Sequence, residues 1–310
     1  MEQPERAQFL TNPKFFLEQA IREFVRTSPA NRLGAFGNAP IFDEPLIGYA
    51  DGDDPIFTDF QQTVREGHFM PREALATRVS DGGGGASAPI LPDISVISFV
   101  LPINGATRKS NAKEKQGPSL RWNHTRWQGQ EFITLLTQYL VRQVEDQGAW
   151  AVAPDLTPAF AIARLPGSLA SNWSQRHIAY AAGLGTFSLS DGFITPRGMA
   201  MRCGSVVTSL KLTPSPRPYA HHLANCLHYA TGKCGVCIGR CPGGAISEKG
   251  HDRFKCLDIL FNVQKPWIEG AHGPGYLGQY AGCGLCQTGV PCESRIPDPK
   301  GRRKQAGASG

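Results

Sequence analysis

Residues 226–246 read CLHYATGKCGVCIGRCPGGAI and residues 283–292 read CGLCQTGVPC; together with Cys256 they hold eight of the nine cysteines in this 310-residue chain. Cys234, Cys237 and Cys241 follow a C-x2-C-x3-C-P spacing that ends on Pro242, and Cys283, Cys286 and Cys292 follow C-x2-C-x5-C. Eight soft thiolates match the need of two cubane clusters, because each of four iron corners takes one sulfur ligand. The glycines at 243 and 244 let backbone N–H groups come close to inorganic sulfide. Two structural zinc ions are the alternative, since C-x2-C pairs also suit tetrahedral sites of four thiolates. Zinc does not account for the Cys-Pro-Gly-Gly-Ala-Ile run. Cys203 is left over, between Arg202 and Gly204, and reads as a small buried hydrophobe.

The run through Cys241 and Pro242 resembles half of a bacterial ferredoxin motif, in which the cysteine before proline ligates the other cluster. One further cysteine of that motif would fall at Thr231, and Cys226 is its replacement here. The resemblance implies a ferredoxin-like iron-sulfur module with two [4Fe-4S] clusters. One would be held by Cys226, Cys234, Cys237 and Cys292, the other by Cys241, Cys256, Cys283 and Cys286. A wire of that kind passes single electrons and holds no substrate, so the preceding 212 residues are expected to contain the acceptor site.

A chain of this length buries about 75% of its unfolded surface and needs no disulfide staple. The 35 glycines and 24 prolines are close to one residue in five, and charged residues at 19% lie below the usual ~25%, which excludes a disordered chain and a long helical rod. No stretch approaches the ~18 consecutive apolar residues of a membrane span. The first ten residues show no basic start leading into an apolar run, so a cytoplasmic, reducing location is expected and metal binding becomes the reading for the cysteines. Of the net charge of +6, four charges come from Lys300, Arg302, Arg303 and Lys304. A second basic stretch covers residues 107–127 and reads either as a solvated loop or as an attractor for an anionic substrate, a nucleic acid or an acidic electron donor.

Apolar residues at i, i+3 and i+4 predict an amphipathic helix from Pro13 to about Arg26. Residues 28–71 and the four glycines 82–85 read as loops, residues 94–103 as a buried strand, and 131–147 as a helix ended by Gly148. A short strand at 150–153, a helix at 173–182 and a strand at 203–212 give α/β alternation. Prolines 214, 216 and 218 mark a boundary. The expected organisation is an α/β domain over 1–212, a cysteine-organised unit over 213–297, and a disordered basic tail over 298–310.

Residues 174–198 read SQRHIAYAAGLGTFSLSDGFITPRG. A helix running into Gly183, with small residues at Ala181, Ala182 and Gly185, leaves room for a large flat group; a helix cap and two ordinary turns are the plainer reading. With the cysteines, the pieces Ala182-Gly183-Leu184-Gly185, Ile194-Thr195-Pro196 and Val207-Thr208-Ser209-Leu210 resemble the corrinoid iron-sulfur reductases, that is, the epoxyqueuosine reductases and reductive dehalogenases. The resemblance runs from about 165 to 297. It implies a nitroreductase-like α+β core, a cobalamin against Ala182, Gly183, Leu184, Gly185, Thr195 and Pro196, and reductive cleavage of an organic substrate. A low-potential donor of ferredoxin or flavodoxin type would supply the electrons. The family's upstream Asp acid has no counterpart in residues 167–175, so Ser171, Asn172 and Tyr180 stand as candidates for proton donation or substrate contact, with His177 and His124 behind them. The missing acid motivates a corrinoid-free electron-transfer or maturation protein as a second reading, and the basic stretches motivate a tRNA-modifying reductase as a third.

Overall fold

The computed structural model describes residues 9, 11–81, 93–166 and 168–299. The four-glycine turn, most of the first ten residues, and the basic end from Lys300 onward lie outside them.

In chain order the main elements are helix α1 (Pro13–Thr27), strand β1 (Leu46–Asp51), helices α2 (Ile56–Thr63) and α3 (Pro71–Asp81), strand β2 (Ser95–Pro102), helices α4 (Gly105–Ala112) and α5 (Leu120–Glu145), strand β3 (Ala151–Val152), helix α6 (Gln175–Ala181) and strand β4 (Met201–Thr208). The four strands form one sheet in the order β1-β2-β4-β3. Every pairing in it is antiparallel, with Tyr49 opposite Ile97, Val100 opposite Cys203 and Val207 opposite Val152. The alternation read from the sequence therefore does not build a parallel sheet, and the core is α+β.

All eight residues of β2 are buried, because helices cover both faces of the sheet. Ile97, Phe99 and Leu101 point into a layer with Leu17, Ile21 and Val25 of α1 and Phe132, Leu136 and Leu140 of α5. Val96 faces the opposite layer with Leu75, Trp173 and Ile178, and Val100 packs with Ala179, Leu184 and Phe193. Each such side chain contributes about 1.5–3 kcal/mol on burial. One polar link crosses this core: Trp173 Nε1 donates to Ser205 Oγ at 2.9 Å, and Ser205 donates to Gln175 Oε1 at 2.7 Å.

Three expectations are corrected. Residues 28–71 are not all loop, since β1 and α2 lie within them; Pro45, Gly48 and the Asp51–Gly52 pair hide a strand that carries the buried Tyr49. Helix α5 starts eleven residues before the expected 131, where Ser119 caps it by accepting from Trp122 N at 3.2 Å. The basic stretch is accordingly helical at both ends, with Thr107, Asn111, Trp122, Asn123, His124 and Thr125 buried, while residues 113–119 between the helices form a loop that carries the exposed Lys113 and Lys115.

After β4 the proline-rich stretch runs beside β1: Ser215 N donates to Tyr49 O at 2.9 Å, and Tyr49 N donates to Ser215 Oγ at 3.0 Å. The cysteine-bearing segment is built of short helical turns, among them Leu227–Thr231, Val236–Arg240 and Arg253–Asp258, with one small hairpin pairing Ile246–Ser247 to Gly250–His251. Among the described residues no helix is long and apolar enough to cross a membrane.

Candidate metal centre

The cysteine segment docks on the C-terminal end of α4 and the N-terminal end of α5. Asn123 Nδ2 donates to the carbonyls of Leu277 and Ala281 at 3.1 and 3.0 Å, while its Oδ1 accepts from Leu277 N at 2.7 Å. His124 Nε2 lies 2.8 Å from Gly275 O, and Asn111 Nδ2 donates to Thr288 Oγ1 at 3.0 Å. Arg240 reaches the other way, donating to the carbonyls of Glu114, Asn111, Leu285 and Thr288 at 2.7, 3.2, 3.2 and 2.9 Å. Polar side chains thus serve loop carbonyls that no secondary structure would pair. Trp122 fills the other contact: it lies over Gly284, whose φ of 61° and lack of a Cβ are both required, since a Cβ there would sit 2.1 Å from Cζ2.

Two cavities lie in this segment. The smaller, about 20 Å³, is lined by Cys226, Cys234, Cys237 and Cys292 together with Met199 and Val290. Cys292 Sγ is 3.1 Å from Met199 Sδ. The larger, about 350 Å³, is lined by Cys241, Cys256, Cys283 and Cys286 together with Trp122, Met201 and Tyr280. Ser190 lines both. Cys203 lines neither. Among the described residues no three of His, Cys, Asp and Glu meet at a point where a single ion would sit.

Five of these thiols, Cys237, Cys256, Cys283, Cys286 and Cys292, are held in surroundings that oppose their free ionisation. Burial, and then the neighbouring Cys226 and Cys237, push Cys292 up to about 12. Burial with Cys226 and Cys234 takes Cys237 to about 11, and burial with Cys283 and Cys241 takes Cys256 to about 11. Cys286, burdened first by burial and then by four neighbouring cysteines, lies well above its ordinary value. Thiolates in such sites need a cationic partner to offset their charge. One local donor is already aimed: Ala245 N donates to Cys241 Sγ at 3.2 Å.

Asp191 ties the segment to the turn after α6. Its carboxylate accepts from Arg253 Nε at 2.9 Å and pairs with His251 Nδ1 at 3.2 Å, and its backbone carbonyl accepts from Arg176. Burial would raise this carboxyl, yet the hydrogen bonds from His251 and Arg253 and the charges of Arg253 and Arg176 hold it down at about 2.

The residues expected to contact substrate are placed elsewhere. Ser171 Oγ donates to Trp173 O at 2.9 Å. Asn172 accepts from Ala161 N at 2.9 Å and donates to Ala159 O at 2.8 Å, bracing a neighbouring turn and not capping α6, whose first flanking residue is Ser174. Tyr180 is half-buried beside Phe187. None of the three lines either cysteine cavity.

The turn expected to receive a corrinoid is filled by the chain itself. A Cβ on Gly183 would fall 2.2 Å from Pro216 O and one on Gly185 2.4 Å from Ile194 O, so both close approaches are already taken by backbone. Ala182 is fully buried and Leu184 nearly so; Thr195 is occupied with Gly198 O and Arg197 N, and Pro196 is exposed at a tight turn. These six residues do not form a cradle for a macrocycle.

Sequence reasoning missed Asp191, Arg176, Arg202 and Tyr280. Arg202 had a signal, being next to Cys203 on a strand otherwise apolar, and Arg126 lay within the basic stretch.

No family model matches the chain, and no curated protein matches it. Among solved structures, a selenomethionine-labelled epoxyqueuosine reductase aligns over 92% of this chain and 70% of its own, at 16% identity and a TM-score of 0.42. A likeness of that order carries no functional weight.

Proposed function

We propose that the chain is an iron-sulfur oxidoreductase with two [4Fe-4S] clusters, one on Cys226, Cys234, Cys237 and Cys292 and one on Cys241, Cys256, Cys283 and Cys286. The observation that carries this reading is the division of eight cysteines into two sets of four, each around its own cavity with Ser190 between them. Clusters so placed supply one-electron transfer at low potential. The chain's own residues do the rest. Met199 and Val290 shield the first set, Ala245 N and the buried walls fix the charge balance at the second, and Arg240 and Asp191 hold both sets against the sheet domain. Electrons would enter from a ferredoxin or flavodoxin type donor and leave to an acceptor at the larger cavity. Because the Ala182–Gly185 turn does not fit a corrinoid, no step is assigned to one.

Anaerobic purification with iron, acid-labile sulfide and zinc analysis tests the proposal. About eight irons and eight sulfides per chain are expected, with no cobalt retained through gel filtration after incubation with hydroxocobalamin. Zinc with no labile sulfide would end the redox reading, and a retained corrinoid absorption band would return cobalamin to it.

A further inference from the structure

The cavity holding Cys241, Cys256, Cys283 and Cys286 is lined by more than its cysteines. Its remaining wall contains Arg126, Arg176 and Arg202, together with the apolar or aromatic faces of Trp122, Met201 and Tyr280. Among the described residues none of these three arginines forms an ion pair with a carboxylate. Arg126 donates to the Tyr280 hydroxyl and lies 5.3 Å from that ring's centroid, Arg176 donates to the Asp191 carbonyl, and Arg202 has only a long 3.5 Å contact to Gln130 Oε1. Neutral oxygens leave most of a guanidinium's five donors unused.

Arg202 is half-buried on the cavity wall. Burial, and next the charge of Arg126, pull its guanidinium down to about 9, so the two cations stand close enough to repel each other. Two like charges held together at a partly buried site cost stability unless an anion joins them. The fork geometry of arginine favours a planar or tetrahedral oxyanion held by paired hydrogen bonds.

We infer that the arginine-bearing wall of this cavity is the binding site for a small organic anion, bound through a carboxylate or phosphate between Arg126 and Arg202 with its apolar body against Trp122 and Met201. Arg176 adds a third cation on the approach. A few hundred cubic ångströms is the scale of a small-molecule site, and apolar walls with a few convergent polar groups are its usual make-up. The view of this anion as the electron acceptor rests on the proposed iron-sulfur function. Its binding does not, since the arginines belong to the chain whether or not the clusters are loaded.

The test uses the full chain, reconstituted anaerobically, with inorganic phosphate, benzoate and neutral benzamide as probes in calorimetric titrations at low and high salt. Benzoate or phosphate is expected to saturate a single site while benzamide does not. Arg202→Gln and Arg126→Gln should each weaken that binding about tenfold or more, the scale of losing a charge-assisted hydrogen bond. Arg142→Gln, on an exposed position of α5, should leave it unchanged. Arg202→Lys, which keeps the charge, should lose less than Arg202→Gln. Melting temperatures measured on every variant separate lost binding from lost folding, and Arg126→Gln answers alone should Arg202→Gln not fold. No binding of either anion, or equal binding to folded Arg202→Gln and Arg126→Gln, overturns the inference. Iron and sulfide measured on the same samples keep the two ideas apart. A fully loaded chain that ignores both anions sinks the anion site only, and a cluster-free chain that binds them supports the site while sinking the redox reading.

Discussion

His68 and His177 are two imidazoles built into an aromatic wall. His68 stacks 5.9 Å from Trp173 and meets Phe60 edge-on at 5.5 Å, and His177 lies 5.2 Å from Phe60 and 4.6 Å from Phe187. Ser174 N donates to His68 Nε2 at 3.2 Å, which makes that nitrogen an acceptor and leaves Nδ1 to donate toward Phe69 O. Only the neutral ring satisfies both. Burial is the main cause that lowers His68 to about 4 and His177 to about 3, with nearby positive charges adding to it. An unfolded chain takes up these protons below about pH 6.5 while the folded chain refuses them. The stabilisation is therefore complete above that pH and drains as pH falls toward 4 and then 3. Urea unfolding between pH 7 and 5 should show stability falling with a slope that approaches two protons, about 2.7 kcal/mol per pH unit, and His177→Phe should roughly halve the slope. A flat profile across that range would contradict the neutral pair. At this scale the sequence was only half legible. His177 was visible on its helix, but His68 sits 27 residues before β2 in a stretch without periodicity, and only folding places it under Trp173.

Among the elements, α5 shows best why a hydrophobic pattern conceals as well as reveals. Its C-terminal half repeats apolar residues against the sheet and was readable. Its first turns carry Asn123 and His124 inward, because their partner is the backbone of residues 275–281 and not a greasy layer. A helix face made polar to serve loop carbonyls has no 3.6-residue apolar signal. Gly284 lies where this contact is tightest. Gly284→Ala must place a methyl group on the Trp122 indole and hold an L-residue at positive φ, and should cost about 2 kcal/mol or more. Lower iron retention and a lower melting temperature are expected together, since Cys283 and Cys286 flank the site. A variant that melts and loads like the parent would show that the contact is dispensable.

For the whole molecule, the count of cysteines and the confinement of eight of the nine to the last third were plain in the sequence, as were α1, β2 and the apolar half of α5. The order β1-β2-β4-β3 was not, because strand pairing is decided by partners far apart in the chain and alternating helices and strands are compatible with either direction. The Ala182–Gly185 turn shows a related limit: small residues signal close approach without saying what approaches, and at Gly183 and Gly185 it is the chain's own Pro216 and Ile194. The division of cysteines makes a prediction at this scale. Cys226→Ser should lower iron content toward half, whereas Cys203→Ser, on β4 and outside both cavities, should leave it unchanged. Equal losses in the two variants would contradict the proposed ligation.

Met199 N donates to Cys292 O at 2.9 Å and Ala200 N to Glu293 O at 3.2 Å, which stitches the last cysteine alongside the residues that lead into β4. The proline-rich stretch is thus a seam in composition but a weld in mechanics. A protease or a cloning design that severs the chain near residue 214 would not release a miniature electron carrier. The smaller cavity would lose the Met199 wall and the backbone that seats Cys292, so whatever that chamber holds is a possession of both halves.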